Sequence, residues 1–135
     1  MKYNEIKIGQ KAEYIRIISE EDITRFAEVS GDHNPVHLDE EYAKQTIFKG
    51  RIAHGMLSAS FISTTLAEKL PGPGTIYLKQ ELVFIKPVRI GDEITTQVEV
   101  ISKNDEKKRV ILKTTCINQD KSVVLSGEAL VMLSE

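Results

Sequence analysis

Asp32 and His37 lie five positions apart in the run Ser30-Gly31-Asp32-His33-Asn34-Pro35-Val36-His37. Pro35 between them rules out a regular helix there, so a turn must aim both side chains towards one space. A carboxylate and an imidazole placed together can share a water molecule. An unperturbed aspartate, with a pKa near ~3.9, is a weak base; partial burial in an apolar site raises it, whereas histidine titrates near neutrality unaided. Such a pair can take a proton from water on one side and deliver one to carbon on the other, which is what hydration of a conjugated double bond requires. Adding hydroxide to the β-carbon of an enoyl thioester pushes electrons onto the carbonyl oxygen, so the chemistry also needs a place for negative charge. Gly55, in Ala53-His54-Gly55-Met56-Leu57, fits that task. It is the predicted start of a helix, where N–H groups lack intrahelical partners and the dipole is positive, and without a Cβ it lets a carbonyl come close. Ser63, two turns further on, is a second candidate for hydrogen bonding near the acyl group.

Each residue alone has a plainer reading. Aspartate after glycine is usually a turn former, and a lone histidine is usually structural, so the case rests on the pair and its block. His33 is expected to face solvent, and His54 to order the helix entrance. A zinc site from His33 and His37 would need both on one helix, which Pro35 removes, so no metal is expected. Lys49, Arg51, Lys86 and Arg89 read as solvated surface, with some able to meet the phosphates of a CoA or pantetheine carrier.

The elements that must position these residues follow from the pattern. Ser19 and Asp22 form a capping box, and Ile23, Phe26 and Ala27 recur at helical spacing until Gly31 stops the helix. Asp39 caps a brief helical turn through Ala43. From about Ala53 to Leu70 a helix rich in small residues is predicted, with Met56, Leu57, Phe61, Ile62 and Leu66 between them and Pro71 to Gly74 ending it. The period then changes to two. A long strand runs from Ile76 to Ile85, further strands cover Ile94 to Val100, Val110 to Cys116 and Val123 to Leu133, and Lys11 to Ile18 adds one more. One mostly antiparallel sheet wrapped around one central helix accounts for this order, an α+β arrangement in a single domain over residues 1–135.

Composition limits the function classes. The 135 residues are 41% apolar, enough for one core. No apolar run approaches the roughly 18 residues of a membrane span, and the start lacks the apolar stretch of a signal peptide, so a cytoplasmic protein is expected. Cys116 is the only cysteine, which excludes an intrachain disulfide and a thiolate cluster within one chain. A formal net charge of −2 without a basic block argues against a nucleic-acid or membrane binder. An isolated sheet of this size leaves edges open, so a homodimer is expected.

Three segments together, Ser30 to Asp39, His54-Gly55-Met56-Leu57 and Pro87-Val88-Arg89-Ile90-Gly91-Asp92, resemble the MaoC-like (R)-specific enoyl-CoA hydratases, and the likeness runs from about Ile8 to Leu133. The resemblance implies a hot-dog fold, a homodimer, and reversible conversion of trans-2-enoyl-CoA to (R)-3-hydroxyacyl-CoA without metal or organic cofactor. It also implies that the catalytic acid falls on Asp32, the catalytic histidine on His37, the oxyanion amide on Gly55 and an active-site serine on Ser63. The acyl group rides on CoA or on acyl carrier protein. Two rivals remain: a thioesterase on the same fold, which would want a carboxylate on or beside the central helix, where the only acid between Met56 and Lys69 is Glu68, and a non-catalytic acyl-CoA-binding module, which would not need both Asp32 and His37.

Overall fold

The computed structural model describes residues 1–134. A single 3-10 turn at Tyr3–Glu5 precedes β1 (Lys11–Ile17). Then come α1 (Glu20–Ser30), two short helices α2 (Pro35–Leu38) and α3 (Glu40–Lys44), the central helix α4 (Gly55–Glu68), and four strands in succession: β2 (Ile76–Phe84), β3 (Glu93–Asn104), β4 (Arg109–Ile117) and β5 (Val123–Met132). The strands form one antiparallel sheet in the order β1-β3-β4-β5-β2.

The start and stop of α1 are written locally. Ser19 Oγ accepts from the Asp22 N–H at 3.0 Å while the Asp22 carboxylate accepts from the Ser19 N–H at 3.1 Å, the reciprocal box expected from the sequence. Gly31 ends the helix with φ of 80°, a left-handed conformation that costs glycine nothing. Asp39 caps α3 through its side chain, as expected. The central helix begins at Gly55 and ends at Glu68.

α4 lies against β1, β3 and β4. Its Ile62 and Leu66 share one buried core with Ile94, Val98 and Val100 of β3, Val110, Leu112 and Cys116 of β4, and Leu125, Ala129 and Val131 of β5. Along β3 as far as Val100 and along all of β4 every second residue is buried, so the period of two in the sequence reports the face turned to α4. Each fully buried aliphatic side chain contributes about 1.5–3 kcal/mol, so this layer accounts for most of the driving force. Cys116 is fully buried and its thiol is pushed up to about 11 by burial.

β2 departs from the expected alternation of two unlike faces. Seven of its nine residues are exposed and only Gln80 and Leu82 are half-buried, with a bulge between Tyr77 and Lys79 shifting the register. It pairs as a strand only with β5, and at Gly127 of β5 the two backbones come so close that a Cβ would stand 1.7 Å from the Glu81 carbonyl oxygen. Glycine there is a condition of the pairing.

Candidate active site

The turn that carries Asp32 is held by its own side chains. Ser30 Oγ accepts from the Asp32 N–H at 3.1 Å, Asp32 Oδ1 accepts from the Asn34 N–H at 3.2 Å, and Asn34 Oδ1 accepts from the Val36 N–H at 3.2 Å. Asn34 thereby caps α2, and Pro35 occupies its first position, where a missing N–H costs nothing. As expected, no helix spans Asp32 to His37, but the geometry is not a plain turn: the proline starts a short helix, and His37 sits on it. His37 is also buried, 8% exposed, rather than lying in a surface turn. Asp32 is the exposed partner, so the burial expected of its carboxylate is absent in the single chain.

His37 Nδ1 lies 2.9 Å from the Ile52 carbonyl oxygen, which can only accept, so Nδ1 carries the proton and Nε2 of the neutral ring is bare. The segment supplying that carbonyl is strapped in place. Arg51 Nε donates to the His37 carbonyl at 2.7 Å and its guanidinium grips Glu20 of α1 at 2.7 and 3.0 Å, while the Ala53 N–H donates to the Val88 carbonyl at 2.7 Å. Arg89 donates to the Phe48 and Arg51 carbonyls. Arg51 and Arg89 thus brace the site from within instead of forming the solvated surface expected of them. Lys86 lines the pocket and donates to Ser122 Oγ at 3.3 Å, and Lys49 is exposed.

His54 precedes α4 and is 2% exposed. Its Nε2 lies 3.0 Å from the Asp32 carbonyl oxygen, and its ring stacks on His37 with centroids 3.9 Å apart and planes 26° off parallel. Burial, together with the neighbouring His37, holds the His54 pKa below the ordinary histidine value. Donor atoms of Asp32, His37 and His54 all lie within 4.8 Å of one another. In each ring one nitrogen is spent on a backbone carbonyl, and stacked rings direct their remaining lone pairs along nearly parallel planes rather than to one point. The cluster suits sharing a small molecule better than chelating an ion. His33 stays outside it, exposed, with Nδ1 3.1 Å from the Gly31 carbonyl.

Asp32, His37, His54, Gly55 and Ser58 line one cavity of about 420 Å³, whose apolar walls include Phe48, Ile52, Phe84, Val88 and Leu125. At Gly55 a Cβ would stand 2.7 Å from the Phe84 ring, so the glycine admits that ring as well as baring the helix N-terminus. Ser63 lies elsewhere, in a second pocket with Phe26, Ser60, Tyr77 and Gln80; Met56 lines both pockets. The hydroxyl that lines the first cavity is that of Ser58, buried and without a hydrogen-bond partner among the described residues. The sequence reading passed over it, although its place three residues after Gly55 puts it on the same helix face.

A family model described as the MaoC like domain matches residues 2–121. The chain belongs to the MaoC-like family. Among its MaoC-like relatives is a protein of Rhodospirillum rubrum named (R)-specific enoyl-CoA hydratase, 53% identical over 131 residues, covering 97% of this chain and 90% of the relative. An Aeromonas caviae protein of the same name is 41% identical over 98% of this chain and 99% of its own length. The structure of the R-hydratase PhaJ1 from Pseudomonas aeruginosa superposes with a TM-score of 0.94 at 52% identity, covering 99% of this chain and 86% of that one. These MaoC-like neighbours bear out the hot-dog fold and the α+β class expected from the sequence.

Proposed function

We propose that this chain is an (R)-specific enoyl-CoA hydratase, a hydro-lyase that reversibly adds water to trans-2-enoyl-CoA to give (R)-3-hydroxyacyl-CoA. The observation that carries the reading is the convergence of Asp32, His37 and the N-terminus of α4 at Gly55 on one largely apolar cavity. The names of the relatives agree with it. Against hydrolysis on the same fold, Glu68, the one acid within α4, is exposed at its far end and lines neither of the two cavities that hold the candidate residues.

In the proposed mechanism the thioester carbonyl accepts from the Gly55 amide, where the helix dipole opposes the charge that develops on oxygen. Neutral His37 presents bare Nε2 to one O–H of the water and the Asp32 carboxylate takes the other. As the water oxygen bonds to the β-carbon, its proton passes to this pair, electrons move through the former double bond to the carbonyl oxygen, and the pair returns a proton to the α-carbon as the enolate collapses. Holding the water on one face of a fixed acyl chain selects the (R) product. Ser63 is assigned a supporting role on the substrate side of the second pocket, reached past Met56, and Lys86, on the cavity lining, is placed to meet a CoA phosphate or a carrier protein's pantetheine. The same reading makes the enzyme a cytoplasmic homodimer joined along β2; no described helix is long and apolar enough to cross a membrane.

A short enoyl-CoA tests this directly. Loss of the conjugated enone absorbance without thiol release is the expected result. Thiol release would mean hydrolysis, and no change in either signal would leave a binding module.

A further inference from the structure

His54 touches both members of the candidate pair at once. Its Nε2 is 3.0 Å from the carbonyl oxygen of Asp32, and its ring face covers the ring of His37 at 3.9 Å. Phe26 also packs against it at 4.9 Å, α4 begins at the next residue, and the side chain is buried. A carbonyl oxygen can only accept, so Nε2 must carry a proton. Nδ1 is buried without a hydrogen-bond partner among the described residues, which leaves nothing to stabilise a second proton there. The ring is therefore neutral, with its single N–H committed to the backbone of Asp32. A phenylalanine would fill the same slot beside Phe26 and His37 without an orphaned nitrogen, so packing alone does not explain the imidazole.

We propose that His54 is a positioning residue: its N–H fixes the Asp32 turn and its ring face fixes the plane of His37, setting the distance between the two groups that share the water. Although His54 lines the cavity, its Nε2–H is spent on the Asp32 carbonyl and its Nδ1 is buried, so it acts on the water through its two neighbours. The inference rests on the hydratase reading and deepens it.

The test uses the full-length enzyme and a short enoyl-CoA. His54→Phe keeps the aromatic packing and removes the N–H, so kcat should fall by about 10²-fold, the scale of a small misplacement of catalytic groups. KM should stay within roughly threefold, because the phenylalanine ring keeps an aromatic wall at the same place in the cavity. His54→Gln, which restores a side-chain N–H, should recover part of the lost turnover. In an Asp32→Asn background His54→Phe should cost little more, since the residue through which it acts is already disabled. A folded His54→Phe enzyme with wild-type kcat would overturn the proposal, as would losses that multiply in the double variant. Imidazole ¹⁵N spectra of the wild-type protein at neutral pH give a measurement free of any folding defect: the Nε2–H tautomer of His54 is expected, and Nδ1–H or the imidazolium would overturn it. If the wild-type enzyme fails to hydrate, the hydratase reading falls, while the tautomer spectrum still judges the place of His54.

Discussion

Asp32 and His37 are held in opposite ways. His37 is buried, with Nδ1 tied to Ile52 and its carbonyl tied to Arg51, whereas Asp32 is exposed and tied through one carboxylate oxygen to its own turn. The imidazole thus fixes the geometry and the carboxylate completes it. Because both are proposed to act on one water, Asp32→Asn and His37→Ala should each remove most of the hydratase activity, and the double variant should be little worse than either alone. Steady-state kinetics on the three proteins, after circular dichroism has verified folding, decide between this and independent roles, whose losses would multiply. His37→Ala also opens a buried space beside His54, so its melting temperature is expected to drop more than that of Asp32→Asn. A second expectation concerns pH. His54 is depressed below the unfolded histidine value of about 6.5, so the unfolded chain binds the extra proton first and stability rises with pH through this range. The His54 contribution is complete above about pH 6.5 and is lost as pH falls through its lower folded value. Melting temperatures measured across this interval should slope upwards, and His54→Phe should flatten part of that slope.

At the scale of elements, α4 joins the chemistry to the sheet. Gly55 opens the helix and lies under the Phe84 ring of β2, so Gly55→Ala does two things: it crowds the oxyanion position and it strikes a ring 2.7 Å from the added Cβ. Pairing it with Phe84→Leu separates them. If Gly55 serves the developing oxyanion, the double variant should regain a wild-type melting temperature while turnover stays at least tenfold down, because a transition-state contact lowers kcat more than it raises KM. Full recovery of turnover would reduce Gly55 to a packing residue. Much of this element layer was legible in the sequence. Ser19 with Asp22, Gly31, Asp39 and the alternation along β3 and β4 are local signals, written within a few residues of where they act. What was not legible depends on distant partners. The helix at Pro35 is the exception, a local cap by Asn34 that the reading of proline as a helix breaker hid. Arg51 and Arg89 turn inwards to carbonyls that only the folded loop presents, and His54 meets Asp32 across 22 residues of chain. Ser58 rather than Ser63 lines the Asp32 cavity because the face of α4 turned to that cavity was set by the sheet.

The whole molecule leaves one boundary unfinished. Of the two edge strands, β2 exposes Ile76, Tyr77, Leu78, Val83 and Phe84, and beside it Met56 is 56% exposed and Ile85 50%. An edge strand carrying so many bare apolar side chains invites a partner strand, and nothing in the described chain covers it. The same residues border the chemistry, since Met56, Phe84 and Ile85 line the cavity that holds Asp32 and His37. A second copy pairing β2 to β2 would continue the sheet, bury these side chains and shield the cavity, supplying the desolvation that Asp32 lacks in the single chain. Assembly and catalysis are therefore predicted to fail together. Val83, 61% exposed on β2 and absent from the cavity lining, is the position to change. Val83→Lys places a charge on the edge without touching the catalytic groups. Light scattering at micromolar concentration should give a dimer mass for the wild type and a monomer mass for the variant. The monomer should keep its circular dichroism spectrum but lose at least tenfold in kcat, because water now reaches the site from the open edge. Activity should return as concentration drives the variant back into dimers. A fully active wild-type monomer would detach the active site from assembly and leave the exposed apolar edge of β2 without a catalytic purpose.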